Sequence, residues 1–167
     1  MKKLMTTLLA VLMVFGCAVT SVAAEDTADT TDTVTVSYEV DQTYSWSAPE
    51  DIEFASFDDD SQTGTVTISN AVIKEGSKVQ ITVSSENYSN GWKMVRSDDD
   101  SIVLGYDMKI SDVTVDNEGV VLECEPSDTV GEMAEATATL SFAINDANKA
   151  GSFEDTLTFA ATIVVPQ

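Results

Sequence analysis

The chain has no histidine, two cysteines, three prolines, and 8 basic residues against 29 acidic ones. Without imidazole there is no histidine base for a serine or cysteine nucleophile and no histidine metal ligand. Two thiols, one of them (Cys17) inside an apolar leader, are too few for a zinc site or a disulfide framework. A formal charge of −21 sets nucleic-acid phosphates against a like-charged surface, which excludes them as partners. A lysine-based serine hydrolase is missing its motif. The residues three before the lysines after the leader are Ala71, Glu75, Asn90, Tyr106 and Asp146, none of them serine. Carboxylates abound, so a secreted carboxylate-pair hydrolase stays as a third reading, but abundance singles out no pair. The sequence therefore points away from an enzyme.

What is present begins with the leader. Met1-Lys2-Lys3 is a short positive start, Leu8–Phe15 (LLAVLMVF) an unbroken apolar run, and Val22-Ala23-Ala24 a small-residue cleavage site before Glu25-Asp26. This is the grammar of a cleavable signal peptide over residues 1–24. Two alternatives remain open. Val14-Phe15-Gly16-Cys17 resembles a lipobox, in which Cys17 is lipidated, and Leu4–Ala24 is long enough for an uncleaved anchor. Each places the remainder outside the cytoplasm, secreted or at the cell surface. The membrane is then met only through the leader or a lipid. The closing residues 163–167 carry no LPxTG-like sorting motif.

Residues 25–33 (EDTADTTDT) hold no large apolar side chain and are expected to be a disordered acidic linker. From Val34 the period changes to two. Val34, Val36, Tyr38 and Val40 share one face, as do Val79, Ile81 and Val83, then Val120, Leu122 and Cys124, then Ala138, Leu140, Phe142 and Ile144. Tyr44 with Trp46, Val66 with Ile68, Ile102 through Met108, and Phe153 through Val165 continue the series. Alternation predicts strands with one buried face. Asp-, Asn- and Gly-rich turns separate them. After the leader no stretch of ten residues has helical periodicity. Val130–Thr137 is the best candidate, for one helical turn or the opening of a strand. The expected fold is all-β. It is an antiparallel β-sandwich of about eight or nine strands, immunoglobulin-like or jelly-roll-like, filling residues 34–167 as one domain. A barrel is the alternative.

The closing segment Gly151-Ser152-Phe153-Glu154-Asp155-Thr156-Leu157-Thr158-Phe159 resembles the last strand of small secreted β-sandwich proteins of Gram-positive surfaces, WxL-like domains and fimbrial or coat subunits among them. Tyr44-Ser45-Trp46-Ser47-Ala48-Pro49 with Ile52-Glu53-Phe54, and residues 64–85, are similar to the same group. The WxL signature is absent, because Trp92 is followed by Lys93-Met94. The resemblance implies a non-catalytic module with a binding, adhesive or structural role.

Four features are candidate sites. Asp58-Asp59-Asp60 and Asp98-Asp99-Asp100, each followed by Ser, offer hard oxygen ligands of the kind calcium takes, although neither follows an EF-hand spacing. The alternative is two solvated acidic turns. No other cofactor is expected. Tyr88 and Trp92, flanking Asn90-Gly91, could stack on a glycan or contact a surface protein. Trp46, Tyr44 and Tyr106 could join them in a stacking platform, and the alternative for Trp46 and Tyr44 is a core or sheet-edge place. Cys124 reads as a small buried hydrophobe. The tethered run Val34–Val40 invites self-assembly, by pairing with a neighbouring copy's sheet edge. The plainer expectation is pairing within its own sheet.

Overall fold

A computed structural model describes residues 35–54, 61–145 and 150–165. The described strands all lie in the unit formed by residues 39–167. The strands are β1 (Thr43–Ser47), β2 (Ser61–Val72), β3 (Lys78–Ser85), β4 (Trp92–Arg96), β5 (Asp99–Ile110), β6 (Val113–Thr114), β7 (Gly119–Cys124), β8 (Ala134–Ile144), β9 (Phe153–Glu154) and β10 (Leu157–Val164). No helix occurs among the described residues, so none there could cross a membrane.

Every pairing is antiparallel. One sheet runs β1-β2-β8-β5-β4-β9, with β6 added to the far end of β5, and the other runs β10-β3-β7. Period-two burial does what the sequence predicts. β3 alternates Val79, Ile81 and Val83, fully buried, with half-buried polar residues. Val66, Ile68, Met108, Leu140 and Phe142 supply the opposing face. Together they form one core between the sheets.

A bulge in β2 and another in β7 break the alternation, besides a register shift between β4 and β5 after Val95. In β2 the register slips between Ile68 and Ala71, and Asn70 takes a φ of 52°. The extra residue lets Ala71 re-enter the core. In β7, Ile81 pairs with Leu122 and Thr82 with Val120, so Val121 is the extra residue. Val121 and Leu122 are both buried, and Val120 turns out to 44% exposure. The expected facing of Val120 with Leu122 is thereby corrected. Cys124 is buried as expected.

The expected strand at Val34–Val40 is also corrected. Residues 35–42 belong to no strand and are exposed. Val36 and Tyr38 are each 91% exposed and Val40 is 57% exposed. Ile52 and Phe54 lie outside any strand and pack half-buried against the core. Pro49 anchors that segment. A Cβ on Gly64 would lie 2.7 Å from the Pro49 Cβ, so only glycine admits this approach. Tyr44 donates from its hydroxyl to the Ala161 carbonyl at 3.2 Å, tying the β1 edge to the β10 edge.

Candidate functional site

The turn before β4 sets Asn90 at φ 56° and Gly91 at 140°, and this rotates Trp92 inward. Trp92 is 3% exposed, and its Nε1 donates to the Val115 carbonyl at 2.6 Å. Tyr88 stands half-buried and edge-on to it, with centroids 5.0 Å apart. The row continues from Trp92 to Tyr106 at 6.2 Å and to Phe142 at 6.5 Å. The structure brings Tyr88 and Trp92 together, but as the end of a core aromatic row. The indole face is enclosed, so an open stacking platform is corrected to a packing role for Trp92.

Asp98, Asp99 and Asp100 span the β4–β5 turn and the start of β5. The Arg96 guanidinium takes Asp98 and approaches Asp99 at 3.9 Å. Asp99 also accepts from the Ser101 hydroxyl and amide at 2.6 and 3.0 Å. Those bonds from Ser101 hold its carboxyl below the usual range, with Arg96 adding to them. Among the described residues no group of three His, Cys, Asp or Glu side chains gathers as a metal site. Asp58, Asp59, Asp60 and Cys17 lie outside the described residues. Burial, and then the neighbouring Glu125, push the Cys124 thiol up.

The closing motif supplies a site that sequence reasoning missed. Asp155 sits between β9 and β10. Its Oδ1 accepts from the Ser85 hydroxyl at 2.6 Å, the Asn87 amide nitrogen at 2.9 Å and the Thr156 backbone at 2.9 Å. Its Oδ2 accepts from the Tyr106 hydroxyl at 2.6 Å. Tyr106 and Ser85 are buried, at 5% and 7% exposure. Burial foremost, then the Asp155 bond and charge, hold the Tyr106 hydroxyl protonated far above its ordinary range. One carboxylate thus joins β3, β5 and β10. The Asp155-Thr156-Leu157-Thr158 run carries the signal, but the run alone does not name the partners of its carboxylate. Beside the hub lies a cleft of about 820 Å³ between Asp51–Phe54 and residues 151–157, floored by Leu104, Tyr106 and Phe142.

A second opening lies where the chain passes from one sheet to the other. β5 turns into β6 through Ser111 and Asp112, both with positive φ, in a two-residue hairpin. The chain then arches through residues 116–118 into β7. Between β6 and β7 is a groove of about 540 Å³. Ile110, Val115, Val121 and Leu122 line it, with Val113 (69% exposed) and Val120 (44% exposed) at its lip. β7 pairs only with β3, so its other edge borders this groove.

No protein-family model matches the chain, and no curated protein matches it significantly. Among solved structures it is similar to a chain of the CsuC–CsuE chaperone–tip adhesion subunit pre-assembly complex, from the archaic chaperone-usher Csu pili of Acinetobacter baumannii. The TM-score is 0.51 at 14% identity, over 71% of this chain and 40% of that one. The chain thus spans well under half the length of the one it matches. At this identity the likeness shows a fold, the immunoglobulin-like of the two expected sandwiches.

Proposed function

We propose that the chain is an exported, non-catalytic β-sandwich module with a binding, adhesive or structural role at the bacterial cell surface. The observation that carries this reading is an immunoglobulin-like sandwich whose uncommitted features are a half-polar cleft beside Asp155 and a largely apolar groove between β6 and β7. The leader supports export, and the closing-strand resemblance supports a Gram-positive setting. The partner is a surface protein or a glycan. Fractionation of the producing cell tests the reading. The chain is expected outside the cytoplasm with Glu25 as its first residue. A lipidated Cys17 would keep the reading with a different anchor, and a cytoplasmic chain beginning at Met1 would sink it.

A second reading, a self-assembling fibre or matrix subunit, is favoured by the exposure of Val36, Tyr38 and Val40. Apolar residues alternating on an unpaired segment are suited to completing another sheet. Light scattering on residues 25–167, with and without millimolar calcium, separates the two readings. A monomer in both conditions leaves a solitary binder. Oligomers that grow with concentration and vanish on deleting residues 33–40 make the chain a subunit. Oligomers only with calcium assign the metal to the Asp58 and Asp98 loops.

A further inference from the structure

We infer that the groove between β6 and β7 is the acceptor for residues 35–40 of a second copy of this chain, which extend the three-stranded sheet along the free edge of β7. The inference rests on the subunit reading and names its interface.

Two exposed apolar features in one chain match each other. The first is the segment Thr35-Val36-Ser37-Tyr38-Glu39-Val40. It is β-branched or aromatic at four of six positions, period two, and without the lysine or proline that guards a lone strand against pairing. Its three apolar side chains stand in water. The second is the groove, whose lip residues Val113 and Val120 are the exposed apolar pair flanking a buried wall of Val115, Val121 and Leu122. β7 has six residues, so a six-residue segment laid along it matches its length. Val36, Tyr38 and Val40 would enter the groove, while Thr35, Ser37 and Glu39 face solvent.

Two of the other edges are less suited. The Ala161 carbonyl of β10 is taken by Tyr44 of β1. β9 has only two residues. Charge sets the condition for pairing. Asp116 and Glu123 border the groove and the donor carries Glu39, so association strengthens as salt screens the two copies.

The experiment uses three forms of the mature chain. The wild type is compared with a donor variant, Val36→Asp with Tyr38→Asp, and an acceptor variant, Val113→Asp with Val120→Asp. All four substituted positions are exposed, and far-UV circular dichroism with thermal melts checks that each variant stays folded. Light scattering at about 0.5 M salt, where screening is nearly complete, is expected to give oligomers for the wild type and monomers for each variant alone. Equal mixing of the two variants is expected to restore a heterodimer, because one good donor then meets one good acceptor. A synthetic peptide of residues 33–41 is expected to bind the donor variant at least about tenfold more tightly than the acceptor variant. A wild type that stays monomeric, with no peptide binding, overturns both the subunit reading and the groove. Oligomers lost in the donor variant but kept in the acceptor variant retain the subunit reading and overturn the groove. Oligomers kept in both variants overturn the donor segment.

Discussion

Replacing Asp155 by alanine is expected to be among the most damaging polar substitutions in the chain. The carboxylate receives four donors, and two of them, the Tyr106 and Ser85 hydroxyls, are buried. Alanine leaves those two without their acceptor. Each stranded buried donor costs about 1–3 kcal/mol, so Asp155→Ala is expected to cost about 2–6 kcal/mol. That is a large share of the roughly 5–15 kcal/mol a single domain possesses. Tyr106→Phe removes the donor with the acceptor kept by other partners, and is expected to cost about 1–2 kcal/mol. In the double variant the Tyr106 contribution has already gone, so the two losses should fall short of additive by about 1 kcal/mol or more. The assay is urea unfolding by tryptophan fluorescence and circular dichroism, with slopes compared to confirm a common transition. The hub also fixes a pH dependence. Tyr106 stays protonated in the fold well above its usual range, whereas the unfolded chain ionises it near pH 10. Its contribution is therefore complete below about pH 10 and is lost as pH rises beyond that. Tyr106→Phe should flatten this part of the alkaline decline. An Asp155→Ala chain that loses less than about 1 kcal/mol, or additive losses in the double variant, would refute the hub as a structural latch.

Three further outcomes follow from the packing. Gly64→Ala places a methyl against Pro49 and should cost about 1–3 kcal/mol by urea midpoint, with unchanged stability as the refuting result. Acrylamide quenching should resolve two tryptophans, Trp46 accessible at 40% exposure and Trp92 shielded at 3%. A Trp92→Phe chain should keep only the quenchable component. On residues 25–167 the Cys124 thiol should react with a disulfide reagent at pH 8 roughly 100-fold more slowly in the fold than in urea, because burial disfavours the thiolate; equal rates would contradict its burial.

Much of the architecture was legible because burial in a sandwich imposes period two on the sequence. The runs containing Val79–Val83, Ile102–Met108 and Ala138–Ile144 all became strands with the expected faces. Failures came where geometry overrides that period. The bulge at Val121 adds a residue that no local signal marks, so Val120 and Leu122 part company. The Ser111-Asp112 hairpin lacks the Asn-Gly chemistry that would announce it, and β6 went unseen. Val34–Val40 carries a strand pattern, yet residues 35–40 find no strand partner, because pairing is a property of two segments and a pattern describes one. The candidate site was less legible. Trp92 looked available in a Gly-containing turn, but its burial depends on Val115 and Tyr106, distant in sequence. Asp155 stood in a recognised motif, but its four donors come from three separate places in the chain.

The pairing of β2 with β8 sets an order of events for the nascent chain. Gly64 meets Leu140, and β3 waits for β10, where Val83 meets Phe159. Both β2 and β3 therefore complete their ladders only after most of the polypeptide has been made. Loop closure over such separations is slow. A chain threaded through a translocase in synthesis order would stay extensible until nearly all of it had crossed, and would acquire resistance to being pulled back only with the arrival of β10.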